Sequence, residues 1–73
     1  MEDIKIELFI PGELKNEPII NDMIKNYDVE VKIIEASFSA ESGWALLDLK
    51  GKKEETEKMF KNLRGKGITV ELR

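Results

Sequence analysis

The sequence predicts an α+β fold of order β-α-β-β-α-β, and three observations predict it. Four runs alternate apolar and polar residues at period two. Two further runs repeat apolar residues at helical spacing. Gly, Pro and Asn fall between the runs, where turns are needed.

The elements follow in order. Ile4, Ile6, Leu8 and Ile10 alternate with Lys5, Glu7 and Phe9, as in a half-buried strand. Pro11-Gly12 ends that strand, and Pro18 suits the first turn of a helix because its missing N–H costs nothing there. Asn16 or Glu17 then sits near the cap. Ile19, Ile20, Met23, Ile24 and Tyr27 share one face of the helix. Val29 to Ser39 is a long strand rich in β-branched residues. Its phase changes midway: Val29, Val31 and Ile33 share one face, while Ile34, Ala36 and Phe38 share the other. Either a bulge lies near Ile33-Ile34, or the strand is covered on both faces.

Ala40 to Gly43 supplies a hairpin loop, and Trp44 to Lys50 the third strand. Ala45, Leu47 and Leu49 face the core there, with Trp44, Leu46, Asp48 and Lys50 facing away. Lys53 to Arg64 is the second helix, with Thr56, Met59, Phe60 and Leu63 as its stripe. Its acids lead and its bases trail, matching the helix dipole, and Glu54–Lys58 and Glu57–Lys61 have the favourable i, i+4 order. Gly65 and Gly67 offer a C-terminal cap, before Ile68, Val70 and Leu72 alternate as strand four. Residues 1–3 and Arg73 are expected to fray.

This element order is the ferredoxin-like one. Right-handed crossovers give a four-stranded antiparallel sheet of order 4-1-3-2 with both helices on one face. Ile6, Leu8, Ile20, Ile24, Leu47, Phe60, Leu63 and Val70 are expected to be among the most buried residues. The other face of the sheet stays open, and Phe9, Trp44 and Leu46 should cluster on it. Exposed aromatics of that kind mark a binding surface or lie under a folded-over side chain or loop.

Length and charge bound the function. Residues 1–73 read as one small domain, whose core supplies no more than ~3–5 kcal/mol of net stability. Cys and His are both zero, so disulfides and His/Cys metal sites are excluded. Self-association or good local design must supply the rest. The formal net charge of -3 argues against nucleic acid or an anionic membrane as the main partner. No apolar run approaches the ~18 residues of a membrane span. Charged residues follow Met1 directly, so no signal peptide is expected and the cytoplasm is the default compartment.

Catalysis finds little support, because the commonest bases and nucleophiles are missing. The acids of the second helix read as a solvated face. Pro11 to Lys15 is too poor in Gly for a phosphate cradle and lacks the Arg that acylphosphatases carry there. Phe9 and Trp44 superficially resemble a base-stacking platform, but the flanking Lys/Arg-Gly pattern of RNA-recognition modules is absent. No catalytic residue, metal or cofactor is expected.

Several stretches together resemble the NIL domain family. They are Glu17 to Ile20, Tyr27 to Ala36, Leu47 to Gly51 and Gly67 to Glu71. The resemblance covers nearly the whole chain. It implies a ferredoxin-like domain of the kind found at the C-terminus of methionine-import transporter ATPases, or fused to iron–sulfur ferredoxin modules linked to sulfur metabolism. It further implies a homodimer that binds methionine or a related amino acid at its interface, and a transporter ATPase or other protein as partner. Lys32 stands where the transporter domains typically carry a ligand-binding Asn. On this resemblance Lys32 meets the ligand carboxylate, and Ile33, Ile34, Ala36, Trp44 and Leu46 line an apolar site. The competing reading is a ligand-free interaction module that docks a partner through the open face or the edge strand.

Strand two sharpens the dimer expectation. It is about twice the usual length of ~5–6 residues. It lies at the sheet edge, carries no Pro, and bears only Glu30, Lys32 and Glu35 as charges. Such an edge invites pairing.

Overall fold

The computed structural model describes residues 2–14, 16–39 and 41–73. Strand β1 spans Glu2–Pro11, helix α1 Ile19–Asn26, strand β2 Val29–Phe38, strand β3 Ser42–Gly51, helix α2 Lys53–Gly65 and strand β4 Thr69–Leu72. A single 3-10 turn, Gly12–Leu14, follows β1. The sheet order is β2-β3-β1-β4, with each neighbouring pair antiparallel. This is the ferredoxin-like arrangement that the alternation predicts.

The core explains why the elements assemble. Ile6, Leu8 and Ile10 of β1 point to the same side as Ala45, Leu47 and Leu49 of β3, Val29 of β2 and Val70 of β4. Onto that side pack Ile19 and Met23 from α1, and Met59, Phe60 and Leu63 from α2. Both helices therefore cover one face and leave the other open. Thr56, a polar residue in this core, is satisfied by donating its hydroxyl to the Lys53 carbonyl at 2.9 Å.

The end of α2 is capped as the glycines predict. Gly67 takes φ 92, a conformation that suits a residue without Cβ. Its N–H donates to the Arg64 carbonyl, and that of Ile68 to the Leu63 carbonyl. That pair of bonds is the Schellman motif, and Leu63 and Ile68 bury together beneath it.

Several expectations are corrected. Ile24 is 52% exposed and Ile20 only half-buried, because the short α1 turns the Ile19–Met23 line toward the sheet. Pro18 precedes that helix rather than entering it, and its carbonyl accepts the Asp22 N–H. No side chain caps this end. Lys58 pairs with Glu55 at 3.4 Å rather than with Glu54, because Glu55 is already fixed by the Asp28 N–H at 3.1 Å. Leu72 is exposed at the sheet margin.

The expected fraying also fails where it can be seen. Asp3 stands opposite Lys50, and the Arg73 N–H donates to the Lys5 carbonyl at 2.8 Å. Ser42 and Gly43 belong to β3 rather than to the hairpin loop. Met1, Lys15 of the expected loop and Ala40 of the expected hairpin lie outside the described residues.

Candidate functional site

The phase change in β2 is a bulge. Ile33 stands opposite Leu47 and Glu35 opposite Leu46, so Ile34 is the extra residue. Beyond it Ala36 and Phe38 return to the helix side, opposite Ala45 and Gly43. Little covers this part of the strand. Ile33 is 53%, Ile34 44% and Phe38 60% exposed, and Ala36 is exposed too. The result is an uncovered apolar edge along the second half of the strand, from Ile33 to Phe38.

The open face divides in two. At one end the pairing rows Lys5–Asp48–Lys32 and Asp3–Lys50–Glu30 alternate in charge across three strands. Only Lys50 and Asp3 come within ion-pair distance there, at 4.0 Å, among the described residues, and this charged half is a solvated exterior. At the other end Phe9 lies directly opposite Trp44. Trp44 Nε1 donates to Glu7 Oε2 at 2.8 Å, and the Arg73 guanidinium grips the other oxygen of Glu7. The Trp44 bond above all, with Arg73 behind it, holds the Glu7 carboxyl below the usual carboxylate range, against a smaller opposing effect of desolvation. The Glu55 carboxyl is lowered likewise, chiefly by the Asp28 N–H. Each of these acids works as a tie between elements.

The residues expected to hold a ligand divide between the two sides of the sheet. Lys32, Trp44 and Leu46 share the open face, with Ser37 opposite Trp44 and Glu35 opposite Leu46. Ile33 and Ala36 turn to the helix side, and Ile34 sits on the bulge between them. All six gather on β2 and the adjoining strand, but within one protomer they do not enclose a common cavity.

A pocket of about 300 Å³ lies elsewhere, between the start of α1 and the β2–β3 hairpin. Ile10, Pro11, Pro18, Ile19, Ile20, Phe38 and Gly43 give it mainly apolar walls. Sequence reasoning missed it, because it forms where the start of α1 comes up to the β2–β3 hairpin, an approach with no linear signature. A Cβ on Gly12 would meet the Glu41 carbonyl oxygen at 2.3 Å, and one on Gly43 would meet the Phe38 ring at 2.5 Å. Both glycines were legible only as turn residues.

Among the described residues no group of His, Cys, Asp or Glu is placed to hold a metal ion, and no helix is long and apolar enough to cross a membrane.

Comparison with known proteins adds the family. The NIL domain description matches residues 5–72. No curated protein sequence matches. Among solved structures, the C-terminal domain of an ABC transporter / ATP-binding protein from Enterococcus faecalis is similar at TM-score 0.79 and 25% identity, covering 94% of this chain and 81% of that one. The designed protein Ferredog-Diesel is similar at TM-score 0.59 and 13% identity, covering 96% of this chain and 84% of that one. The designed protein Foldit4 is similar at TM-score 0.54 and 21% identity, covering 99% and 94%. The two designs share the fold alone.

Proposed function

The chain belongs to the NIL domain family, and on that premise we propose that it is a regulatory module that senses a small amino acid, methionine or a relative, at a homodimer interface. The observation that carries this reading is the uncovered apolar edge of Ile33, Ile34, Ala36 and Phe38 on β2. Large apolar residues left in water along an edge strand are costly alone and favourable once paired. Pairing two such edges brings Ile33, Ile34 and Ala36 of both copies to one seam. Lys32 flanks that seam as a cation for a ligand carboxylate, and Trp44 and Leu46 lie one strand in on the open face. At the seam, rather than in any cavity within one protomer, Lys32, Trp44 and Leu46 can meet one ligand on the open face, while Ile33, Ile34 and Ala36 hold the two edges together.

Residues 1–73 act as one unit in this reading, and the unit is not an enzyme. The likeness to a domain of an ATP-binding protein supports a transporter ATPase or a similar protein as partner, and a place in the cytoplasm.

Titration of the protein with methionine and other amino acids, followed by calorimetry, tests the reading. Saturable binding that Ile34→Asp abolishes is the expected result. Absence of binding for every amino acid at millimolar concentration would remove the sensing function. It would favour the second reading, a ligand-free docking module, for which the observation is the exposed Phe9 beside Trp44 on the open face.

A further inference from the structure

We propose that two copies pair antiparallel along β2, about a twofold axis between Ile33 and Ile34, so that Lys32 of each faces Glu35 of the other. This rests on the self-association proposed above and adds the register that the bulge imposes.

In antiparallel pairing, residues directly opposite one another share a face of the sheet. A twofold axis between two consecutive residues of a regular strand would set each residue against one of the opposite face. β2 is not regular. Its bulge advances the alternation by one residue at Ile34, so Val29, Val31, Ile33, Ala36 and Phe38 all face the helix side. Glu30, Lys32, Glu35 and Ser37 all face the open side. Around an axis between Ile33 and Ile34 the faces therefore match along the strand. Val29 meets the partner's Phe38, and Val31 the partner's Ala36. Glu30 meets the partner's Ser37, and Lys32 the partner's Glu35. The isoleucines of both copies meet at the centre.

Charge supports the same register. Glu35 stands opposite uncharged Leu46 within its own sheet, and neither Glu35 nor Lys32 joins an ion pair among the described residues. An axis at Lys32 or at Glu35 would set like charges together. An axis at Val31 matches faces and pairs Glu30 with the partner's Lys32, but it uses only Val29 to Ile33 and leaves Ile34 and Phe38 in water. The axis between Ile33 and Ile34 engages all ten residues of the strand.

Sedimentation of charge-reversed variants tests the register. Lys32→Glu and Glu35→Lys should each weaken the dimer by at least about tenfold, since two attractive contacts become two repulsive ones. An equimolar mixture of the two variants should recover wild-type affinity as a heterodimer, because every crossing pair is then complementary. Glu30→Lys should change little. Circular dichroism verifies that each variant is folded, and recovery on mixing shows the same thing independently. A dimer weakened by Glu30→Lys but not by Glu35→Lys would place the axis at Val31 and overturn the register. A dimer indifferent to all three reversals would overturn it while leaving self-association standing. A wild type that remains monomeric at millimolar concentration would overturn both.

Discussion

Glu7 shows how much a single side chain can hold together here. Its carboxylate takes the indole N–H of Trp44 from β3 and the guanidinium of Arg73 beyond β4, so one residue of β1 ties three strands on the open face. Its lowered pKa sets the sign of the pH dependence. A carboxyl whose pKa is lower folded than unfolded stabilises the fold above its unfolded pKa, and loses that contribution as pH falls through the folded value. Acid should therefore unfold the protein more readily than neutral pH does. Glu7→Gln should flatten the acid limb of a stability profile measured by urea unfolding, and a limb of unchanged steepness would assign the acid response to other groups. Two glycines give a second residue-scale prediction. At Gly12 a methyl group would strike a backbone carbonyl, which cannot step aside, so Gly12→Ala should cost ~1–3 kcal/mol. At Gly43 it would strike the exposed ring of Phe38, which can swing into water, so Gly43→Ala should cost less than ~1 kcal/mol. Comparing urea midpoints of the two variants checks that order.

Among the elements, α2 was the most legible in sequence. Thr56, Met59, Phe60 and Leu63 recur at helical spacing, and all four are buried. The Leu63 side chain packs in the core, so Leu63→Ala should cost ~2–5 kcal/mol by chemical denaturation, with the backbone cap bond to its carbonyl kept. A loss below ~1 kcal/mol would mean the site collapses around the gap. Helix α1 was harder to read. Tyr27, expected on the helix, is extended just beyond it. The four apolar positions left, Ile19, Ile20, Met23 and Ile24, span more than the arc one contact can bury, so the sequence alone does not say which part turns down. Ile19 and Met23 do, which leaves Ile24 in water. The bulge in β2 was legible, because a period-two strand that changes phase must contain one or be covered on both faces. Register against β3 decides for the bulge.

At the scale of the molecule, strand order followed from the alternation of elements together with crossover handedness, neither of which depends on side-chain detail. The candidate site was less legible. Sequence set Trp44 and Leu46 on the open face, but the phase change in β2 left open which side Ile34 and Ala36 would take, and the pocket beside α1 depends on the start of α1 approaching the β2–β3 hairpin. What sets the functional reading is an edge strand too long and too apolar for the helices that cover the sheet. If a ligand binds where two such edges meet, binding and dimerisation must be linked, each strengthening the other by the same factor. The dimer dissociation constant, measured by sedimentation across a range of methionine concentrations and then with other amino acids, tests this most directly. The account predicts that one of these ligands tightens the dimer by about 5–150-fold and then saturates. A dissociation constant unmoved by every one of them would contradict it.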